Sequence, residues 1–582
     1  MMVGGVLFLT LSNAFLVWIP VLVRQTMDSV ESLADETVFG DTSVVDILIS
    51  DQAGWVIAKG VLLLLAASFL YGFLLFLTRQ TLIVASRYIE LDLRTLIYDK
   101  LQRLPQEYYA KNRTGDIYIR ATEDVSRVRE YFGPGFMYGV NTITRAGIII
   151  TIMFLVNAEL TLWALMPLPL LSVIAYWMSS FIHKRSNEIQ EQYAVLAGKA
   201  QETFSSIRLI KSFAREAYEQ ERFDRESEIY RRKKLRLDIV ESLFHPTLNL
   251  LVGASIVLVI WKGGLLVMEG VVTVGNIAEF IIYVLFLTWP IAALGYTLNL
   301  VQRSAASNIR IQKLLDEPEM RDDMNGTTMD LSRLKIEFRN VSFTYPGATE
   351  KALNNINLTI DDAMSVAIVG RTGAGKSTLV QLLTRMYDVN EGQICINGTD
   401  IRDIPIETLR SVIGYVPQET FLFSETIANN IAFGKENASF TEVENAARAA
   451  AVYDNIMLFE NKFETVLGER GITLSGGQKQ RTSIARSLIR SPKLLILDDS
   501  LSAVDTNTES QIVTYIRKAL ETTNVIQISH RIQSIRDADI IYLIHEGSIA
   551  EQGTHDELIE RNGHYATMYR KQQLEKELAE IN

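Results

Sequence analysis

The sequence predicts a multidomain chain: a six-helix α-helical transmembrane domain followed by a soluble α/β domain. Three observations predict it. Long apolar runs are confined to residues 1–310, the loops between them alternate between acidic and basic, and near residue 370 a short apolar strand runs into a glycine-rich loop and a helix.

Composition bounds the alternatives. The 582 residues are 48% hydrophobic and 21% charged, apolar enough to exclude a disordered chain. Length corresponds to about four domain-equivalents. Lys+Arg 57 against Asp+Glu 68 gives a net charge of −11, which disfavours a nucleic-acid binder built on overall basic charge. The single cysteine, Cys395, excludes an intramolecular disulfide framework and a Cys-rich zinc site.

A bilayer core about 30 Å thick needs about 20 apolar helical residues. Six stretches meet this, at about 3–23, 56–77, 136–156, 160–182, 243–267 and 277–298. The first lacks a basic leading region and a small-residue cleavage site, so it reads as a retained span and not a signal peptide. Loop charge sets orientation. Segment 24–55 carries seven acidic residues, from Asp28 to Asp51, against Arg24 alone, whereas segments 79–130 and 183–238 are long and place Arg79, Arg87, Arg94, Arg231, Arg232, Lys233, Lys234 and Arg236 near the membrane. The two long loops are therefore expected in the cytoplasm, with both chain ends. Leu91, Leu93, Leu96, Ile97, Leu101 and Leu104, and later Phe204, Ile207, Ile210 and Phe213, recur at helical spacing, so the spans should continue as helices beyond the bilayer. Arg113-Thr114-Gly115-Asp116 is the expected turn of the first loop. Polar residues inside spans are candidates for a substrate cavity: Asn141 and Arg145 in the third and His245 in the fifth. Pro167, Pro169, Pro246 and Pro290 should kink their helices.

In the second half, Ser365-Val366-Ala367-Ile368-Val369 reads as a strand. It is followed by Gly370-Arg371-Thr372-Gly373-Ala374-Gly375-Lys376-Ser377 and a helix from Thr378. This is G-x-x-x-x-G-K-[ST] in the strand–loop–helix setting that makes it specific for phosphate. The glycines allow backbone N–H groups to close around phosphate oxygens, and the helix N-terminus adds positive dipole. Lys376 would reach the β- and γ-phosphates of ATP, and Ser377 would ligate Mg2+. Leu494-Leu495-Ile496-Leu497-Asp498 is a buried strand ending in a carboxylate, placing Asp498 to hold Mg2+.

Between these elements lies Leu474-Ser475-Gly476-Gly477-Gln478, followed by a helical run over 479–489. The pentapeptide, the loop 370–377 and the strand 494–498 together resemble the ATP-binding-cassette (ABC) ATPases over about residues 335–575. The resemblance implies further roles. Tyr345, 25 residues before Gly370, would stack on adenine. Gln418 would sense Mg2+ and contact the membrane domain, Asp505 in Ser502-Ala503-Val504-Asp505 would form the D-loop, and His530 would contact the γ-phosphate. Six spans ahead of one such ATPase resemble the exporter class of half-transporters. Thr465-Val466-Leu467-Gly468-Glu469-Arg470-Gly471 resembles the exporter x-loop, and 202–211 resembles the second intracellular loop of that class. The amphipathic elbow helix usual before the first span has no counterpart here, and with no peptidase domain ahead of that span, processing-coupled peptide export is not expected. The implied organisation is a membrane domain over 1–310, a linker over 311–334, the ATPase domain over 335–575 and a charged tail over 576–582. The half-size pattern resembles bacterial exporters, and the implied location is the cell (inner) membrane with the ATPase domain cytoplasmic.

In that family the Leu474–Gln478 type of motif closes in trans on ATP held by a second ATPase. One chain with one loop and one signature therefore needs a partner half-transporter. Asp499 departs from the family, whose hydrolytic residue after the Asp498 position is normally Glu. Asp is one methylene, about 1.5 Å, shorter. A base must lie within about 2.6–3.2 Å of its water, and a misplacement near 1 Å can cost on the order of 10²-fold. The site on this chain's own loop is expected to bind ATP and hydrolyse it slowly, as in one subunit of heterodimeric bacterial multidrug exporters. The partner would be a different chain carrying Glu. A homodimer working slowly with Asp is the alternative, as is an ATP-gated membrane protein that does not pump. A DNA-associated ABC ATPase is disfavoured by the spans and the charge. Trp163, Trp177 and Trp289 add an aromatic character to a partly polar cavity, which suits drugs, peptides, lipids or steroids equally; the resemblance to exporters implies a small-molecule or lipid-like, amphipathic cargo.

Overall fold

The computed structural model describes residues 1–37, 51–320, 331–468, 474–501, 508–509, 512–515 and 523–581. The chain divides into two compact units. One is Met1–Gln102 with Thr114–Glu317, the other Arg103–Arg113 with Pro318–Asn582.

Among the described residues the first unit holds helices and no strand. Its long elements are Met2–Thr37, Asp51–Arg103, Phe136–Val156, Pro167–Ser205, Glu216–Met268 and Val274–Leu315. Two of these are 53 residues long, about 80 Å at 1.5 Å per residue and far more than a bilayer requires. The spans thus continue as helices well past the membrane, as the loop periodicity predicts.

Five of the six expected spans have a counterpart. Among the described residues, five helices are long and apolar enough to cross: Met2–Ser32, Gly54–Arg103, Thr114–Val156, Glu216–Met268 and Val274–Leu315. The fourth expected span, 160–182, is divided between Ala158–Leu165 and Pro167–Ser205. Pro167 has no N–H to give the preceding turn, and it stands at the first position of a new helix, where that loss is free. Pro20, Pro246 and Pro290, by contrast, lie inside continuous helices.

The first loop also differs. Helix Asp51–Arg103 stops at Leu104 and Pro105, a short helix Gln106–Lys111 follows, and Thr114-Gly115-Asp116 is already the first turn of helix Thr114–Ile119. The chain breaks on both sides of the short helix, not once at Arg113–Asp116. Between Thr114 and Val156, two π-helical turns, Arg120–Asp124 and Tyr131–Gly135, interrupt the helix. Of the first apolar stripe, Leu93, Ile97 and Leu101 pack with Val125, Val128, Ile311 and Leu314. Leu91 and Leu96 are exposed, as are Phe204 and Phe213 in the second stripe.

Asp124, on the first π-turn, is fully buried. It accepts hydrogen bonds from Ser307 Oγ (2.9 Å) and from Arg310 Nε (2.8 Å) and Nη2 (2.5 Å). The fork ties the third long helical stretch to the last helix, which also share the small apolar core around Ile97.

The second unit has two sheets. The first is antiparallel, in the order β2-β1-β4-β5, built from β1 (Ile336–Phe343), β2 (Leu353–Ile360), β4 (Glu391–Ile396) and β5 (Thr399–Asp400). The second runs β10-β9-β3-β8-β7-β6, with β3 (Ser365–Val369), β6 (Ile413–Val416), β7 (Leu494–Asp498), β8 (Asn524–Ile528), β9 (Ile540–His545) and β10 (Ser548–Gly553). All its pairings are parallel except β9 with β10. Strands buried on both faces read as continuous apolar runs, which is how β3 and β7 announce themselves in sequence. One core joins both sheets to the helix Lys376–Leu383. A second core gathers the helices Ile427–Ala432, Phe440–Ala449 and Gly476–Leu488 against β6 and β7.

The Asp124 fork yields an ordered prediction. Arg310→Ala leaves Asp124 buried without its cation and should cost about 3–5 kcal/mol. In Asp124→Ala the half-exposed Arg310 can return to water, so the cost should be nearer 1–2 kcal/mol. Thermal unfolding of the detergent-purified chain would check the order, and equal or reversed losses would show that the pair does not clamp these helices.

Candidate nucleotide site

Four neighbouring parallel strands bring the site together. Ile368 of β3 pairs with Ile528 of β8, and Ile528 pairs with Asp498 at the end of β7. Leu497 pairs with Val416, the last residue of β6. Gly370, His530, Asp499 and Gln418 therefore all begin from the carboxyl ends of adjacent strands, the edge where open α/β sheets bind ligands.

The loop after β3 is shaped for phosphate. Gly370 and Gly375 have φ of 155° and 101°. A Cβ on Gly375 would sit 2.6 Å from the Ala352 carbonyl oxygen, and one on Gly370 would collide with the Ile544 carbonyl. Backbone thus approaches backbone where only glycine fits. The helix begins at Lys376, two residues earlier than the sequence suggests, so Lys376, Ser377 and Thr378 form its first turn with N–H groups that no intrahelical carbonyl can take. Lys376 is buried and its Nζ donates to the carbonyls of Gly370 and Arg371, both at 2.9 Å. Burial pushes this ammonium below the ordinary lysine range, against the opposing pull of Asp499 and Asp498. A desolvated cation resting on loop carbonyls suits a phosphate oxygen.

Asp498 is almost fully buried. Its Oδ1 accepts from Ser377 Oγ at 3.0 Å and its Oδ2 from the Tyr415 hydroxyl at 3.5 Å. Burial pushes its carboxyl above the ordinary range; Ser377 and Lys376 work against this, and the neighbouring Asp499 adds to it. Two hard oxygen ligands, one of them a desolvated carboxylate, fit Mg2+, which would neutralise phosphate charge here. Tyr415 was not legible in sequence. Its position on β6, opposite β7 in register, is what delivers it.

Tyr345 is fixed from several sides. Its hydroxyl meets Thr378 Oγ1 at 2.9 Å and donates to Gln381 Oε1 at 3.0 Å, and its ring stands edge-on to Phe343 and Tyr387, with centroids 5.0 and 5.4 Å away. The ring is therefore tied to the first turn of the helix Lys376–Leu383.

Asp499 adopts a left-handed backbone, φ 46°, with its N–H donating to the Ile528 carbonyl at 2.9 Å. Aspartate tolerates this conformation better than most residues. The Asp499 side chain lines a small cleft with Ser500, Glu509, Gln527, Ser529 and Arg531. His530 is half-exposed, with its carbonyl taken by Gln572 Nε2 at 2.5 Å, and Gln418 is exposed.

The signature stands apart in the second core. Leu474 packs with Val416, Leu422 and Ile484, while the phosphate-binding helix packs in the first core. Ser475 is the N-cap of helix Gly476–Leu488: its Oγ accepts from Gln478 N–H (3.3 Å), and Gln478 Oε1 accepts from Ser475 N–H (3.0 Å). Ser-Gly-Gly-Gln is therefore a capping box. The reciprocal bonds satisfy the first and fourth amides and leave those of Gly476 and Gly477 without intrahelical acceptors and without side chains to shield them. Arg486, farther along this helix, donates to the carbonyls of Asn430 (2.7 Å) and Phe421 (2.8 Å), and burial pushes its guanidinium down to about 10. Arg486 was not anticipated.

The remaining expectations fall elsewhere. Asp505 with the rest of 502–507, and Glu469, Arg470 and Gly471, lie outside the described residues, as does the side chain of His245. Asn141 and Arg145 lie on helix Phe136–Val156 of the membrane unit. The fully buried Glu279, in the sixth expected span and 3.2 Å from Arg24, was missed because one charge in an apolar run does not disturb the pattern.

Comparison with known proteins agrees with both halves. The family "ABC transporter transmembrane region" matches residues 2–291, and "ABC transporter" matches 353–502. The probable multidrug resistance ABC transporter ATP-binding/permease protein YheI of Bacillus subtilis is 38% identical over 84% of this chain and 83% of its own length. The multidrug resistance-like ATP-binding protein MdlA of Escherichia coli is 36% identical over 86% and 85%. An ATP-dependent lipid A-core flippase of Desulfotalea psychrophila is 33% identical over 83% and 84%. The structure of a bacterial Atm1-family ABC exporter with ATP bound superposes with a TM-score of 0.77, at 27% identity, over 98% of this chain and 97% of that one. The chain belongs to the ABC transporter family, as a membrane-embedded exporter with fused membrane and ATPase domains that couples ATP hydrolysis to transport.

Proposed function

We propose that this chain is one half of a heterodimeric exporter that moves a small amphipathic or lipid-like molecule across the cell membrane by alternating access. It would supply the slow ATP site through its own Lys376 loop and the signature of the fast one through Ser475 to Gln478. The observation that carries this reading is Asp499, an Asp where the family has Glu, beside an intact capping-box signature. The relatives are multidrug and lipid exporters by name, which supports an amphipathic cargo, with Asn141 and Arg145 of helix Phe136–Val156 as its candidate contacts and six spans per half.

Hydrolysis needs a group that polarises water in line with the γ-phosphate. On this chain that group is the Asp499 carboxylate, about 1.5 Å short of a Glu, while His530 and Gln418 stand at neighbouring strand ends to contact the γ-phosphate. ATP favours the closed pair because its phosphates satisfy amides on both halves, contacts the open pair lacks. A slowly cleaved ATP at the Lys376 site then holds the halves together for longer than the partner's turnover. The partner's triphosphate would be cut by the partner's Glu under the amides of Gly476 and Gly477, and loss of that contact resets the membrane helices.

Purified alone, the chain should hydrolyse ATP feebly, and Asp499→Glu should raise the steady-state rate by on the order of 10²-fold. Brisk hydrolysis by the unmodified chain, abolished in Asp499→Asn, would instead establish a working homodimer.

In the assembled pair, substitutions should act asymmetrically. Gly477→Glu in this chain should abolish turnover and ATP-dependent uptake into inside-out vesicles, because it blocks the partner's site. Lys376→Ala should leave most of the hydrolysis in place. Equal losses would mean that both sites carry the chemistry.

A further inference from the structure

We propose that Arg145 is the counter-ion for an acidic group on an amphipathic ligand bound within the membrane unit. This deepens the export reading and rests on it only for the ligand's being cargo.

Arg145 lies deep in helix Phe136–Val156. It stands near the middle of the third expected span, about 136–156, about 14 Å of helix from that span's nearer bound, farther than the side chain reaches. Other charged groups of the same unit are paired: Glu279 with Arg24 at 3.2 Å, Glu159 with Lys262 at 2.7 Å, Asp124 with Arg310 at 2.5 Å. Among the described residues no carboxylate stands within ion-pair distance of Arg145, and its buried Nε has no hydrogen-bond partner. Its guanidinium instead sits 5.0 Å from the ring centroid of Phe286, a contact that orients a cation without neutralising it. Intramembrane charge that the protein leaves unbalanced marks a functional position.

The surroundings define the rest of the ligand. Tyr138 lies seven residues before Arg145 on the same helix, two turns away on the same face. Its ring meets Trp289 and Tyr296 of helix Val274–Leu315, with centroids 6.4 and 6.0 Å away. Phe286, Trp289 and Tyr296 share one face of that helix, and the last two remain 54% and 56% exposed. Tyr296 also lines a cavity of about 290 Å³ with Glu123, Arg127, Asn299 and Arg303, toward the cytoplasmic end of the unit. The arrangement is an aromatic wall about 10 Å long with a single cation, Arg145, at one end and the cavity beside Tyr296 at the other. It fits a molecule with a flat apolar body and one carboxylate, sulfonate or phosphate, whose oxygens match the guanidinium fork.

The test is direct binding to the full chain, without nucleotide, in nanodiscs of zwitterionic lipid, with empty discs subtracted. The probes are anilinonaphthalene sulfonate and phenyl naphthylamine, the same skeleton without the acidic group. The chain should bind the sulfonate about 10-fold or more tighter than the neutral probe. Arg145→Gln should erase that preference with neutral-probe and ATP binding unchanged, and Arg145→Lys should keep most of it. If Arg145→Gln does not fold, competition on the unmodified chain replaces it: naphthylacetate should displace the sulfonate probe and naphthylmethylamine should not. Doping the discs with phosphatidylglycerol identifies the source of the head group. Displacement of the probe assigns the site to a lipid, retention to a free solute, and either supports an anion site. Equal affinity of the two probes for the unmodified chain, equal weakening of both in Arg145→Gln, or displacement by the amine as readily as by the acid would overturn it. Absence of ATP-driven uptake would sink the export reading while leaving the binding preference standing.

Discussion

Two helix N-termini with unsatisfied amides are the constraint on which this protein depends. One opens at Lys376 behind a glycine loop, the other at Gly476 behind a capping box. Free N–H groups at a helix end have to find an acceptor in water, in a side chain or in a ligand. In both helices the chain withholds a side chain that would do the job at the amides nearest the opening. The two ends belong to different hydrophobic cores. A triphosphate large enough to meet one end of this chain and the opposite end of another turns that shared deficit into an association energy, which is how nucleotide can hold two ATPase units together.

The rest of the ATPase unit serves to hold those amides and the groups beside them. Parallel β3, β8 and β7 end in register, so the loop, Asp498 and His530 emerge together. Asp498 is desolvated enough to want a cation, and Lys376 desolvated enough to want an anion. Both penalties are imposed by burial and relieved by the same ligand. Arg486 links the signature helix to the segment that follows Gln418 through carbonyls of Phe421 and Asn430, a rigid connection from the strand ends to the signature.

Much of this was legible before the fold was known, and the parts that were not share a reason. Apolar runs and the spacing of Gly370, Gly375 and Lys376 are local patterns, and the strand–loop–helix unit at 365–383 follows from them apart from two residues of helix start. Ser475 and Gln478 even carry the capping-box spacing openly. Pro167 marks an interruption at Met166, between Ala158–Leu165 and Pro167–Ser205, but a proline pattern does not say how far the helix is broken there. Tyr415, Arg486, Asp124 and Glu279 owe their roles to partners at least 56 residues away, on other strands or helices. No local pattern encodes such pairings.

The account's central claim is that nucleotide outlasts turnover on this chain's loop while the partner consumes its own. Photolabelling the assembled pair during steady-state turnover with an azido-ATP, radiolabelled at the base, would read it most directly, after separation of the two chains and identification of the attached nucleotide. The account predicts uncleaved triphosphate on this chain and diphosphate on the partner. Diphosphate appearing on both chains at the same rate would contradict it.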